Sequence, residues 1–144
     1  MSNILITGGL GYIGSHTVVE LVEQGHSVVI VDNLDNSSRV CFDRLVQITG
    51  KPDQLKFVEV DILDTAKLDE LVFSQFNFSS VIHFAAFKAV GESVSKPLKY
   101  YHNNVCGTVG LLLLMQKYKV KVFVFSSSAC VYGENPNCIE GDVI

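Results

Sequence analysis

Three glycines spaced three residues apart are the clearest chemical signal near the start of the chain. Gly8, Gly11 and Gly14 follow a short apolar run at 4–7 and precede or open an amphipathic stretch at 12–24. In a strand–loop–helix unit, such glycines allow a tight turn, a close approach of backbone N–H groups to a ligand, and close packing of the helix on the strand. The helix start adds unpaired N–H donors and about half a positive charge. The pattern therefore predicts a binding site for the diphosphate of a dinucleotide.

Acidic residues follow the next two apolar runs. Asp32 lies eighteen residues beyond Gly14, and no arginine follows it directly. A carboxylate there would accept hydrogen bonds from both hydroxyls of an adenosine ribose and would repel a 2′-phosphate, which predicts NAD rather than NADP. The alternative is an ordinary turn aspartate. Asp61, followed by Ile62, predicts an acceptor for the adenine amino group, and its alternative is a turn or cap residue.

Further candidate residues lie at or after the ends of the last two apolar runs, or in the longest helical stretch. Apart from Phe84, which ends its run, they are small or polar: Phe84, Ala85, Ala86, Lys88, Asn103, Asn104, Ser126, Ser127 and Ser128. Small residues allow a cofactor to pass closely, and Lys88 could contact a hydroxyl or phosphate, or be a surface lysine. Paired amides within a helix are costly unless they are hydrogen-bonded, so one of them is expected to face the site. The serines lie where ligands bind in open parallel sheets, or form a polar turn.

Apolar runs alternate with helical patterns along the whole chain, which is typical of a parallel sheet with helices on both faces. We expect strands at 4–7, 27–31, 55–60, 81–84 and 122–125, and helices at 12–24, at 40–49, from an Asp64 cap to about 76, and from Pro97 to the lysines near 119. The predicted fold is α/β, a Rossmann-type doubly wound parallel sheet of about five strands in the order 3-2-1-4-5. It forms a single, incomplete NAD(P)-binding domain over 1–144, with a loop-like tail at 133–144.

Composition narrows the possible classes of protein. The chain has 144 residues, a net charge of −4 and 48% hydrophobic residues, which argues against a nucleic-acid-binding protein. No apolar run is long enough to span a membrane, and we read no secretory signal before the first strand. Four cysteines without CxxC spacing predict free thiols in a reducing compartment, and hence a cytoplasmic protein: Cys41, Cys106, Cys130 and Cys138.

Four longer blocks carry a family resemblance. They read TGGLGYIGSH at 7–16, VDNLDNSS at 31–38, VIHFAAFKAVGESVSKPLKYYHNN at 81–104 and FVFSSSACVYG at 123–133. In this order they resemble the UDP-glucose 4-epimerases of the extended short-chain dehydrogenase/reductase group, over 4 to about 136. The resemblance implies an isomerase of galactose metabolism that interconverts UDP-glucose and UDP-galactose, holds NAD through turnover and forms a homodimer.

The resemblance also assigns site residues. It matches Ser128 to the serine that bonds the sugar 4-oxygen, as a catalytic residue. It implies no metal. The cofactor contacts match Gly8, Gly11, Tyr12, Ile13, Gly14, Asp32, Asn33, Leu34, Asn36, Ser37, Asp61, Ile62, Phe84, Ala85, Lys88 and Asn103.

The chain departs from the family pattern at single positions and at a catalytic pair. Leu10 replaces a usual Ser or Ala and places more bulk in the glycine loop, Ala86–Phe87 replaces Gly-Leu, and Cys130 replaces Thr. The family's catalytic tyrosine has a lysine four residues later, and none of the five tyrosines here does. We therefore expect the sequence to stop before the catalytic pair and the uridine-binding region, to be inactive alone, and to carry half of the dimer interface.

Three alternatives remain open at this stage. The chain could be a non-catalytic NAD-binding paralogue or fragment that pairs with a full-length epimerase. It could derive from a relative that acts on another nucleotide sugar, such as a dehydratase or decarboxylase of the same group. It could also be a gene fragment without a stable fold.

Overall fold

Five parallel strands form the sheet of this protein in the computed structural model, which describes residues 2–128 and 131. They are β1 (Asn3–Thr7), β2 (Ser27–Asp32), β3 (Leu55–Glu59), β4 (Ser80–His83) and β5 (Val122–Phe125). Their order, β3-β2-β1-β4-β5, confirms the prediction. The predicted tail at 133–144, together with Cys130 and Cys138, lies outside the described residues.

Helices connect the strands on both faces of the sheet. They are α1 (Tyr12–Glu23), α2 (Arg39–Thr49), α3 (Thr65–Leu68), α4 (Val90–Ser95), α5 (Pro97–Tyr100) and α6 (Gly107–Lys117). A π-helical segment, Asp69–Phe73, continues α3, and a second one, Tyr101–Cys106, joins α5 to α6. The helix expected from Asp64 to about 76 thus ends at Phe73. Helix α4 and both π-helical segments were not predicted.

Alternate side chains of β1 enter two separate hydrophobic cores, as expected for a strand covered on both faces. Ile4 and Ile6 pack with apolar residues of α1 and α2, including Val18. Leu5 packs on the opposite face with residues of α3, its π-helical continuation and α6, including Phe73. Both cores contain residues of the neighbouring β2. The molecule is therefore doubly wound, as predicted.

Local capping explains where several helices begin and end. The Ser38 hydroxyl accepts a hydrogen bond from Val40 N–H at the start of α2, and the Asp64 carboxylate accepts from Lys67 N–H at the start of α3. Gly50 ends α2 with a left-handed φ of 61°, which glycine adopts without steric cost. The predicted Asp64 cap is confirmed, and α2 ends at Thr49 as predicted.

The strand register brings the functional ends of three strands together. Thr7, the last residue of β1, pairs with Val31 of β2 and with His83 of β4. The segments that follow these strands consequently emerge side by side at one edge of the sheet, where open α/β folds bind their ligands.

Candidate functional site

A cavity of about 580 Å³ lies at the carboxyl edge of the sheet. Its volume falls within the range of roughly 300–1,000 Å³ that is usual for small-molecule sites. All but three of the predicted site residues line it: Gly8, Gly11, Tyr12, Ile13, Gly14, Asp32, Asn33, Asn36, Ile62, Phe84, Ala85, Lys88, Asn103 and Ser128. The strand ends and loops that the sequence separates by more than a hundred residues thus share one cavity wall.

The glycine loop between β1 and α1 is too tightly packed to accept side chains at two positions. Gly8 has a φ of +69°, and a Cβ built there would lie 2.7 Å from the backbone nitrogen of Ala85. A Cβ at Gly14 would lie 2.8 Å from the Cα of Gly9 and would overlap the Gly8 carbonyl oxygen. The tight turn and the close helix packing predicted for these glycines are confirmed.

The first turn of α1 lies at this cavity. Gly11 is the N-cap, with φ −72° and ψ 173°, and no side chain caps the helix. The first N–H groups of a helix have no partner within it, and the helix dipole makes them attractive to an anion. A Cβ at Gly11 would meet the Gly8 carbonyl oxygen at 3.3 Å and nothing else within 4 Å, so glycine leaves the approach to these donors open. This cradle fits the diphosphate of a dinucleotide.

Asp32 lies at the end of β2 with only 7% of its surface exposed. Its Oδ2 accepts a hydrogen bond from Leu10 N–H at 3.1 Å, while Oδ1 accepts from Leu34 N–H at 3.0 Å and from the Ser37 hydroxyl at 2.8 Å. A carboxylate offers about four acceptor sites, so capacity remains for a ligand hydroxyl. The side chain both lines the cavity and ties the glycine loop to the segment after β2.

Three predicted site residues do not line the cavity, and their contacts show what they do instead. Leu34 has φ 60° and packs against the core beside α1 and α2. The Ser37 hydroxyl donates to Asp32 Oδ1. Asp61 Oδ2 accepts from the Asn33 side-chain amide at 2.8 Å, and its Oδ1 accepts from Leu63 N–H at 2.8 Å. These residues contact the core or the residues that line the cavity, and do not line it themselves.

Arg39, the nearest arginine after Asp32 in sequence, stacks over another side chain. Its guanidinium carbon lies 5.6 Å from the ring centroid of Phe57. It is the first residue of α2 and is not among the residues that line the cavity.

Hydrogen bonds explain the two helical asparagines. Asn104 accepts from Phe87 N–H at 2.9 Å and donates to the Phe87 carbonyl oxygen at 2.9 Å. The Asn103 amide, which is buried, donates to Asn104 Oδ1 at 2.9 Å. Both line the cavity and both lie in the π-helical segment, a feature that is frequent at functional sites. Both amides are thus hydrogen-bonded, and both, rather than one alone, lie at the cavity.

His83, the last residue of β4, lines the cavity, although the motif analysis did not single it out. The hydroxyl of Thr108 donates its only proton to the Asn104 carbonyl at 2.7 Å, so it accepts from His83 Nε2–H at 2.9 Å. Thr7 then donates to His83 Nδ1 at 2.5 Å. The available signal was a polar residue ending an apolar strand.

Burial lowers the pKa of His83 from 6.5 to about 4. The side chain is only 2% exposed, so the charged form would lose nearly all of its hydration. The imidazole is therefore neutral at neutral pH. It links the end of β1 to α6 directly beneath the cavity.

The serine run after β5 completes the cavity wall on its far side. Ser126, Ser127 and Ser128 all line it, and Ser126 N–H donates to the His83 carbonyl oxygen at 3.2 Å. This hydrogen bond continues the β4–β5 pairing beyond the strands. It holds the start of the serine run at the same edge as the glycine loop.

The positions that depart from the family pattern differ in where their side chains lie. Leu10 is 4% exposed and packs in the core with Ile4 and Val18. The additional bulk that Leu10 brings to the glycine loop is therefore buried in the core. Ala86 and Phe87 line the cavity, as expected for a change beside the cofactor path. Cys130 lies outside the described residues.

The part of the chain that the structure describes lacks the features of two other kinds of site. Within it, no cluster of three or more His, Cys, Asp or Glu side chains could hold a metal ion. No helix there has both the length and the apolar character needed to cross a bilayer. Cys41 and Cys106 are free thiols.

Comparison with known proteins shows which family the chain belongs to. The family model described as GDP-mannose 4,6 dehydratase matches residues 5–140. The chain belongs to this family. Among curated relatives, the UDP-glucose 4-epimerase of Dictyostelium discoideum is 58% identical over 131 residues, which are 91% of this chain and 37% of that relative. The UDP-glucose 4-epimerase of Bacillus subtilis is 57% identical over 130 residues, 90% of this chain and 38% of that relative.

Solved structures show the same similarity. A UDP-glucose 4-epimerase from Stenotrophomonas maltophila, with bound NAD and formylated UDP-arabinopyranose, gives a TM-score of 0.89 at 47% identity over 96% of this chain and 40% of that one. The UDP-glucose 4-epimerase from Bifidobacterium longum, in complex with NAD+ and UDP, gives a TM-score of 0.87 at 52% identity over 92% of this chain and 38% of that one. The resemblance to UDP-glucose 4-epimerases is thereby confirmed. The chain spans about two fifths of the length of these relatives.

Proposed function

We propose that this chain binds NAD and supplies the dinucleotide-binding part of a UDP-glucose 4-epimerase. The observation that carries the proposal is the cradle formed by the glycine loop and the uncapped start of α1, with the Asp32 carboxylate beside it in one cavity. NAD in two structural neighbours and the identity to the epimerases support the same assignment. UDP-glucose and UDP-galactose are the proposed substrates of the complete enzyme.

Different residues of the cavity would bind the two halves of the dinucleotide. The glycine loop after β1 would bind the diphosphate, and Asp32, after the neighbouring β2, would accept from the adenosine ribose hydroxyls. Ile62, after β3, lines the cavity and would lie nearest the adenine, whereas the carboxylate of the preceding Asp61 accepts from Asn33 and from Leu63 N–H. The other half of the dinucleotide would extend over the segments after β4 and β5, toward Lys88 and Ser128.

Binding is tested by calorimetric titration of the 144-residue chain with NAD+ and NADP+. We expect NAD+ to bind and NADP+ to bind much more weakly, because the Asp32 carboxylate repels a 2′-phosphate and Arg39 is stacked on Phe57. Folded protein that gave no heat with NAD+ would overturn the proposal. Equal affinity for both cofactors would overturn the role given to Asp32.

Gly11→Ser provides a sharper test because it should move stability and affinity in opposite directions. Serine is a favoured N-cap residue, and the backbone of Gly11 already has the extended conformation that a cap requires. Its hydroxyl would accept from the first-turn N–H groups and occupy the donors meant for the diphosphate. We expect the same or a higher melting temperature, with NAD+ affinity lowered about tenfold or more. An unchanged affinity would contradict the cradle.

The 144-residue chain alone is expected not to epimerise. None of its five tyrosines has a lysine four residues later, and a general acid–base group typically contributes about 10²–10⁴ in rate. The assay is chromatographic detection of UDP-glucose formed from UDP-galactose in the presence of NAD+. Conversion by the purified chain would refute the inactivity and leave the NAD proposal standing.

Self-association is the second part of the proposal, and an exposed apolar stripe on α4, α5, the following π-helical segment and α6 supports it. The stripe consists of Val90, Val94, Leu98, Tyr101, Val105, Val109, Leu112 and Leu113. Side chains of this kind are costly to leave in water, with Leu98 81% exposed and Val94 80% exposed. A family-type homodimer through this stripe is expected. Sedimentation velocity should show a concentration-dependent dimer that Leu98→Lys disperses, and a strictly monomeric wild type would contradict it.

The same stripe favours one alternative, a non-catalytic NAD-binding chain that pairs with a full-length epimerase. Mixing the chain with the Bacillus subtilis relative distinguishes this pairing from the homodimer. A mixed species by sedimentation, absent with Leu98→Lys, would favour pairing. Separate migration of the two proteins would leave the homodimer as the proposal.

A further inference from the structure

Two side chains one helical turn apart hold the segment that follows β4. Asn104 pairs with both backbone groups of Phe87, its Oδ1 accepting from N–H and its Nδ2 donating to the carbonyl, each at 2.9 Å. Because a backbone N–H only donates and a carbonyl oxygen only accepts, these contacts fix the orientation of the amide. The additional donation from Asn103 to Asn104 Oδ1 agrees with that orientation.

Tyr100 holds the same segment two residues further along. Its hydroxyl lies 2.9 Å from the Ala89 carbonyl oxygen and 3.0 Å from Glu92 Oε2, and its ring centroid lies 5.7 Å from that of Phe87. Lys99 adds a further contact, with its ammonium 4.3 Å from the Phe87 ring centroid. The ring and backbone of Phe87 and the carbonyl of Ala89 are thus all fixed.

Lys88 lies between these two fixed residues and lines the cavity. It is exposed, and it makes no ion pair or side-chain hydrogen bond with the described residues. A lysine with an anchored backbone and a free ammonium group is suited to bind ligand oxygens. It follows β4, on the opposite side of β1 from the Asp32 strand, so a dinucleotide whose diphosphate lies on the glycine loop would bring its non-adenosine half to this lysine.

We propose that Tyr100 and Asn104 are positioning residues that fix Phe87 and Ala89, and that they thereby direct the ammonium group of Lys88 to the hydroxyl or phosphate oxygens of the non-adenosine half of the bound dinucleotide. The inference rests on the proposed NAD function and assigns the recognition of one half of the ligand. Neither positioning residue needs to touch the ligand. Their effect on binding passes through the lysine.

The test is a double-mutant cycle read with two ligands, NAD+ and AMP, by calorimetry. Asn104→Ala and Lys88→Met should each weaken NAD+ binding about tenfold, since the first misplaces and the second removes the charged hydrogen-bond donor of Lys88. The double variant should bind NAD+ no more weakly than Lys88→Met alone. AMP, which lacks the second half, should keep its affinity within about twofold in every variant.

Matched variants separate positioning from general damage. Lys121→Met removes the same charge at the amino end of β5, away from the cavity, and should change neither affinity. Tyr100→Phe keeps the ring and loses the hydroxyl. It should weaken NAD+ binding in the wild-type background and have no further effect in the Lys88→Met background. This variant carries the test where Asn104→Ala does not fold, which circular dichroism reports.

The outcomes are distinguishable from failure of the proposed function. A wild-type chain that binds neither ligand refutes NAD binding itself. A wild type that binds both, with losses from Asn104→Ala and Lys88→Met that multiply in the double variant, refutes the positioning role. Equal losses for AMP and NAD+ in Asn104→Ala refute it as well, because the effect would then not be confined to the second half.

Discussion

The buried imidazole of His83 makes the stability of the fold depend on pH in a calculable way. Burial lowers its pKa from 6.5 to about 4, whereas in the unfolded chain the pKa is about 6.5. Between these values the unfolded state binds the extra proton, so the free energy of unfolding falls as the pH falls. The slope is at most about 1.4 kcal/mol per pH unit, which gives a loss of about 3 kcal/mol across the window from pH 6.5 to about 4. Above pH 6.5 the contribution is fully present and constant.

The assay is urea unfolding followed by circular dichroism at pH values from about 7 to about 4.5, for the wild type and His83→Gln. Glutamine keeps an amide donor for Thr108 but does not titrate. Its unfolding free energy should be lower at neutral pH and should change less between the two pH values. The difference between the two slopes isolates His83, because the carboxylates and other histidines are common to both proteins.

His102→Gln is the matched control, because it makes the same substitution at an exposed histidine of the π-helical segment. Its slope should equal that of the wild type. Equal slopes for the wild type and His83→Gln would refute the reasoning, since they would mean that His83 takes up its proton at the same pH in both states. A wild type that gained stability on acidification through this window would refute the sign.

Three further predictions follow from packing and charge. Gly14→Ala should abolish NAD+ binding in calorimetry and lower stability by about 1–3 kcal/mol, since its Cβ would lie 2.8 Å from Gly9 Cα; unchanged binding would contradict the tight loop. Phe73→Ala should cost about 3–5 kcal/mol in urea unfolding because the ring is 2% exposed, and a loss below about 1 kcal/mol would contradict its place in the core. Asp69→Asn should change the unfolding free energy little, because its ion pair with Lys117 is partly exposed, and a loss as large as that of Phe73→Ala would show that the pair is better shielded than its exposure indicates.

The features that the sequence predicted are those set by neighbouring residues. The five strands follow from continuous apolar runs, the Asp64 cap from a carboxylate at a helix start, and the turn at Gly8 from the absence of a side chain. Each depends on a few adjacent positions. Strand order also followed, because right-handed crossovers leave few arrangements for alternating strands and helices.

The features that were missed depend on side-chain contacts that the pattern of the sequence does not show. Helix α4 is held by Glu92, which accepts from Lys96, Lys99 and Tyr100. His83 acquires its role only when β4 pairs with β1 and α6 packs beside it. The burial of the Leu10 side chain was not predicted, because a loop sequence does not show which core lies beneath it.

Two glycines explain how α6 reaches the cavity. A Cβ at Gly107 would lie 2.6 Å from Ile62 Cδ1, and a Cβ at Gly110 would lie 2.5 Å from Thr65 Cγ2. The helix therefore lies directly against the segment after β3. This approach brings Thr108 to His83. The sequence GTVGLLLLM is apolar on all sides, so its pattern alone does not show which face is buried.

The two halves of the cavity are held by different chemistry, and His83 joins them. On the β2 side, the Asp32 carboxylate organises its own loop through three hydrogen bonds. On the β4 side, His83 and Asn104 tie the strand end and the following segment to α6 and to the π-helical segment before it. Protonation of His83 would turn Nδ1 from an acceptor into a donor and so disturb its bond with Thr7, the residue that precedes the glycine loop. Acid should therefore weaken the binding of NAD+ and of AMP together, and a loss of NAD+ affinity with AMP affinity unchanged would mean that the glycine loop does not respond to His83.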